Sequence, residues 1–243
     1  MNLKEKFNPT LYGRIAGVMY MIIVAAGISA HFVTPAQFRI AGDAATTAAN
    51  IAAAETAFSL GTVGGELIIV LTEIALIVIM YKLLAPVNQT LSAIAAAFRG
   101  AMATIHGLNL LNYYIVFQLL NDGNIASVFS TEQINALVNV FLNAHDIGFT
   151  LGIVFFMPHV LILGYLIYQS DYFPKTLGVL FLIAGIGYLI DAAGLLFAPG
   201  YTETPGLIAI IIASAEIAFP IWLLIKGVRT DQWEQREMSL QTA

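Results

Sequence analysis

A polytopic all-α bundle of membrane-spanning helices is the fold class this sequence predicts, and three observations predict it. Of the 243 residues, 59% are apolar and only 10% are charged, too little polar surface to cover a soluble globule. The mean hydropathy of +0.83 agrees. Apolar runs of the ~20 residues needed to cross ~30 Å of hydrocarbon recur along the chain, each bounded by charge, Pro or Gly. The absence of cysteine removes disulfide frameworks, thiolate metal sites, thiol nucleophiles and covalent c-type haem. No basic run or aromatic-plus-Arg pattern suits nucleic acid, so nucleic-acid binding is discarded.

Six spans are expected in one transmembrane domain covering 1–243, at about 11–32, 58–84, 91–120, 147–168, 174–197 and 206–227. The first follows Lys4 and Lys6 as a signal peptide would, but its apolar part is too long and no cleavage site follows, so it reads as a retained helix. Alternating the loops places Lys4, Lys6, Arg14, Lys82, Lys175, Lys226, Arg229 and Arg236 at one set of ends and only Arg39 at the other. The positive-inside rule then makes both termini cytoplasmic.

Two short extracytoplasmic segments are expected to be helical without spanning. Asp43 is a candidate N-cap for "AATTAANIAAAE", and Ser130 with Gln133 forms a capping-box pattern. A helix running unbroken from Thr131 to Tyr168 would be ~57 Å long, so its first third must project outward or lie on the membrane. Ile134, Leu137, Val138, Phe141 and Leu142 share one face there, and Asn135, Asn139 and Asn143 another. An interfacial helix and an extension packed on its neighbour both fit that pattern.

Span comparison adds a repeat. "RIAGVMYMI" (14–22) matches "KTLGVLFLI" (175–183), and "LIIVLTEIAL" (67–76) matches "IIIASAEIAF" (210–219), bringing Glu73 into register with Glu216. The expectation is a parallel repeat of hairpins 11–84 and 174–227.

Ionisable side chains inside the spans cost at least ~2.5 to 3.5 kcal/mol each and normally face a bundle interior or cavity. Glu66, Glu73, Arg99, His106, His159, Asp191 and Glu216 fall at similar depths, forming an expected central layer, and Asn109 and Tyr113 extend the Arg99–His106 stripe. Arg99 is expected to pair with an acid, and Asn109, Asn112 and Tyr113 fit interhelical hydrogen-bond glue as well as ligands. His31 and Arg14 sit at span ends, where interfacial placement explains them. In "AHDIGFTLGIVFFMPH" (144–159), fourteen helical residues separate His145 from His159 by ~21 Å, so they are two sites, or a site and a neighbour, unless the helix breaks. His145 and Asp146 are expected at an outer gate, on different faces.

Four acids against one arginine require protonated carboxyls or a bound cation. Hence the leading expectation is an intramembrane carboxylate and histidine cavity that binds or transports a small ligand, a cation or protons. The alternative is a membrane-embedded metal-dependent hydrolase, its zinc held among His106, His159, Glu73 and Glu216. Below it stand a b-type haem on His106 and His159 and a purely structural role. The only partners implied are the lipid bilayer and that small ligand or cation, with oligomeric state open.

"RIAGVMYMIIVAAGI", "GDAATTAANI", "APVNQTL", "LNLLN" and above all "GFTLGIVFFMPHVLILGYLIYQSDYFPKTLGVLFLIAGIGYLID" resemble the bacterial membrane family known as domain of unknown function 4386, from about Tyr12 to Gly227. The resemblance implies a polytopic protein of the bacterial cytoplasmic membrane. It assigns no catalytic residue.

Overall fold

The computed structural model describes residues 7–201 and 203–241, without the side chains of 240 and 241, and among them every regular element is helical. Six helices are long and apolar enough to cross a membrane: α1 (Pro9–Phe38), α3 (Glu55–Leu84), α4 (Gln89–Asn121), α6 (Thr131–Gln169), α7 (Lys175–Phe197) and α8 (Gly206–Ile225). Between or after them lie α2 (Ala44–Ala53), α5 (Gly123–Val128) and α9 (Thr230–Gln241). This is a multi-pass membrane protein. Lys4 and Lys6, counted in the expected orientation, lie outside the described residues.

Local chemistry accounts for the helix starts. Asp43 caps α2 by accepting from the Thr46 backbone N–H at 2.9 Å, and hydrogen bonds from Thr46 hold the Asp43 carboxyl below the usual range. The capping box at α6 forms as expected, the Ser130 N–H donating to Gln133 Oε1 at 2.8 Å. α6 then runs 39 residues without interruption, Pro158 included. α4 breaks at Leu110, where the Asn112 amide donates to the Asn109 carbonyl at 3.1 Å and competes with the helical ladder. Both α1 and α3 contain a π-helical turn, at Ile28–Val33 and Leu60–Gly64, that hydropathy patterning does not register. α9 was not expected either, because its sequence is polar and Trp233 is the single deeply buried anchor among its described side chains.

The chain forms two compact units. One comprises Met1–Ile22, Thr72–Met102 and Ile153–Ala243. Its core centres on Phe219, whose ring is met edge-on by Tyr20, Phe173 and Phe181 at 5.7, 5.6 and 5.3 Å. The Leu83 carbonyl, near the C-terminus of α3, accepts from Tyr172 Oη at 2.7 Å and Trp233 Nε1 at 3.0 Å, which satisfies an acceptor that helix ends leave open.

The second unit comprises Ile23–Leu71 and Ala103–Gly152. Phe58 packs against Phe38, Tyr113 and Phe117, with Ile51, Val116, Val138 and Leu142 fully buried around them. The apolar face of the first third of α6 therefore packs on its neighbours, while Asn139 and Asn143 stay exposed.

Candidate functional site

Buried polar side chains gather separately in each unit, and each residue's partners named below come from its own unit. In the first unit Arg99, 1% exposed, donates from Nε to Glu73 Oε2 and from Nη1 to Tyr20 Oη at 2.8 Å. The guanidinium also lies over the rings of Tyr20 and Phe156, 5.0 and 5.7 Å from their centroids. His159 completes the group, and its tautomer follows from geometry. Nδ1 faces the Ala95 carbonyl at 2.9 Å and must donate, so Nε2 offers its lone pair to Arg99 Nη1 at 3.1 Å. Both ring nitrogens are thereby used. The charge of Arg99 is cancelled by Glu73, and its remaining contacts are neutral acceptors or rings.

Two other acids of this unit, Glu216 and Asp191, take hydroxyl donors. Tyr188 donates to Glu216. Asp191 accepts from Tyr201 Oη at 2.8 Å and Thr204 Oγ1 at 2.9 Å, so it ties down the segment between α7 and α8.

The second unit is built differently. Glu66 follows directly on the π turn of α3, and His31 lies within the π turn of α1. Such turns insert a residue into the ladder and re-aim side chains, and they occur often at functional sites. The helices approach closely here, since a Cβ on Gly61 would stand 2.2 Å from Thr34 Oγ1 and one on Gly65 3.0 Å from Ala30 Cβ. His145 Nε2 reaches 2.9 Å from Glu66 Oε1, and His31 Nδ1 stands 3.9 Å from the same oxygen. The 2.9 Å approach is off the line a hydrogen bond needs, so both facing atoms are buried without an aligned hydrogen bond.

Rings and amides wall this trio. Tyr113 packs on His145 at 4.1 Å, and Phe149 packs on both His31 at 4.5 Å and His106 at 4.7 Å. His106 Nε2 lies 3.1 Å from the Phe149 carbonyl, and Asn109 donates to the His145 carbonyl at 2.9 Å. Glycines of α6 make room for these side chains: a Cβ on Gly148 would stand 2.0 Å from Asn109 Oδ1, and one on Gly152 2.0 Å from His106 Nε2. At the exposed edge, Arg39 clasps Asp146 through two bonds of 2.9 and 2.8 Å and reaches Asn143 at 3.2 Å. Hydrogen bonding to the Asp146 carboxylate raises the pKa of Arg39, which keeps its charge.

The family model for the domain of unknown function DUF4386 matches residues 15–227. The chain belongs to this family. An uncharacterised protein of the archaeon Archaeoglobus fulgidus is 32% identical over 165 residues, spanning 67% of this chain and 82% of that relative. No solved structure matches.

Against the expectations for this DUF4386 chain, the proposed central layer is redistributed. Glu73, Arg99, His159, Asp191 and Glu216 belong to the first unit; Glu66, His106 and Asn109 belong to the second. Of the four residues suggested for a metal, His106 falls in one unit and His159, Glu73 and Glu216 in the other, and His159 and Glu73 are engaged by Arg99. Among the described residues no three His, Asp or Glu side chains converge as metal ligands. His145 and Asp146 do point apart as adjacent helical residues should, but only Asp146 is at an exposed edge; His145 is buried against Glu66. His31, set aside as interfacial, joins Glu66, because the π turn redirects it. Tyr20, Tyr188, Phe149 and Arg39 were missed as site residues, although Arg39 carried a signal as the one basic residue expected at its end of the bundle.

Proposed function

We propose that this protein binds a small cation within the membrane and carries it, and that Glu66, His145 and His31 form the site. One observation carries the reading: Glu66 is buried, and among the described residues no lysine or arginine pairs with it, whereas imidazoles face it. A carboxylate so placed costs at least ~2.5 to 3.5 kcal/mol unless positive charge joins it. Glu73 supports the contrast, since its charge is met by Arg99 and needs no ligand. Asp146 and Arg39 would gate the site, because their exposed pair links the helix end after His31 to the residue next to His145. In this reading the positive-inside bias sets both termini in the cytoplasm, and hairpins 11–84 and 174–227 are a parallel repeat. Among the described residues the metal-hydrolase reading gains no supporting ligand set.

Thermal unfolding of detergent-purified protein across a panel of small cations, with pH as one axis, tests this. A cation at 100-fold over its dissociation constant stabilises by about 2.7 kcal/mol, and Glu66→Gln should abolish that response while Glu216→Gln keeps it. Equal responses in both variants would sink the assignment.

A further inference from the structure

We propose that the cation is the proton itself, shared by Glu66 Oε1 and His145 Nε2 and exchanged through His31. The inference rests on the reading of this trio as the cation site and names its cargo.

Space and donor chemistry argue for a proton over a metal ion. Sodium, calcium, magnesium or zinc each needs a shell of several oxygen or nitrogen donors. Around the trio stand ring faces instead, those of Tyr113 on His145 and Phe149 on His31. The nearby amide and imidazole, Asn109 and His106, are turned to the carbonyls of His145 and Phe149 and pressed against Gly148 and Gly152. No third His, Asp or Glu among the described residues completes a metal shell with the pair. A proton needs only two facing acceptors, and Glu66 Oε1 and His145 Nε2, buried 2.9 Å apart with no other hydrogen bond, become such a pair once the imidazole turns into line.

Charge argues the same way. The titratable and charged groups facing the trio are His31 and, after α1, Arg39; Glu66 on α3; His106 and Tyr113 on α4; and His145 and Asp146 on α6. Arg39 and Asp146 cancel each other. With the histidines neutral, the buried set carries one negative charge, and a single excess proton removes it.

Exposure gives the route. The His31 side chain is 22% exposed while those of Glu66 and His145 are 3% exposed. A proton taken up at His31 Nδ1 passes to the Glu66 carboxylate across the 3.9 Å gap once the ring swings closer, His31 returns to neutral, and Glu66, now a carboxylic acid, shares the proton with His145 Nε2. No electron moves and no other bond breaks.

Infrared difference spectra of the full chain in phosphatidylcholine bilayers, recorded across a pH titration in H2O and D2O, test the assignment. A carboxylic-acid C=O band that shifts in D2O is expected in the wild type, absent in Glu66→Gln and retained in Glu216→Gln. In His145→Gln, where Glu66 is intact, its titration midpoint should move by about one pH unit or more. A Glu66→Gln spectrum identical to wild type, or an unmoved midpoint in His145→Gln, overturns the proton assignment. If the unfolding panel meanwhile reveals Glu66-dependent stabilisation by sodium, ammonium or zinc, the cation reading stands and only the proton falls. With no Glu66-dependent response to any cation, pH included, both fall.

Discussion

Glu66 and Glu73 lie seven residues apart on α3, both buried, and the protein treats them in opposite ways. Glu73 meets a guanidinium that is itself braced by Tyr20, His159 and two ring faces. Glu66 meets imidazoles whose charge depends on protonation. A guanidinium is a permanent countercharge, so the first site is closed with respect to protons and ligands. An imidazole is a conditional one, so the second responds to its surroundings. A charged residue in a membrane helix thus becomes a functional candidate only after its countercharge has been identified.

The largest expected effect tests that asymmetry directly. Glu73→Ala strands a buried guanidinium and is expected to cost about 3–5 kcal/mol. Glu66→Gln sheds a charge while keeping an acceptor oxygen, and its cost should stay below about 1 kcal/mol. Unfolding midpoints in mixed micelles measure both, and equal losses would break the comparison. Next in size come the glycines. Gly148→Ala drives a methyl to 2.0 Å from Asn109 Oδ1 and should cost about 1–3 kcal/mol. In the other unit Gly100→Ala finds Ile77 Cδ1 no nearer than 3.7 Å, and the gain in helix propensity should leave it neutral or up to about 1 kcal/mol more stable.

Smaller still are the exposed ion pairs, one per unit among the described residues: Arg39 with Asp146, whose side chains are 25% and 54% exposed, and Arg236 with Asp171, at 40% and 55%. Double-mutant cycles should return about 0.2–1 kcal/mol for each in low salt and close to zero at about 1 M salt. Only loss of the Arg39 pair should also alter the cation response, which would sharpen the gate assignment. The smallest effect is alkaline. Burial, with help from Asp191, pushes the Tyr201 hydroxyl up to about 12 from an ordinary 10.0. A raised folded-state value means that its stabilisation is complete below pH 10 and is lost as pH climbs to about 12. Tyr201→Phe should lack that inflection in a stability profile, and the Glu66 band should be indifferent to it.

The spans were legible because six apolar runs leave the backbone no alternative in hydrocarbon but helix. The caps at Asp43 and Ser130 were legible because capping is local chemistry within four residues. Charge within the spans was legible too, and it singled out Glu66, Glu73, Asp191 and Glu216, of which Glu66 and Glu73 are buried. Pairing was not, because partners such as Arg39 and Asp146 lie 107 positions apart and depth along a helix does not say which face meets which. His31 escaped for a different reason: it sits at a span end, and hydropathy gives no sign of the π-helical turn that holds it there.

Those π turns carry an evolutionary and engineering consequence. Each holds its surplus residue as a wedge, and excising one residue from 28–33 would let the ladder close into ordinary α-helix at little cost in hydrogen bonds. The flanking turns would stay nearly in register, and only the local offset within the turn would be lost. A one-codon deletion would therefore leave an ordinary hydrophobic span without the offset that aims His31 at Glu66, so the trio can be dismantled without touching any of its members.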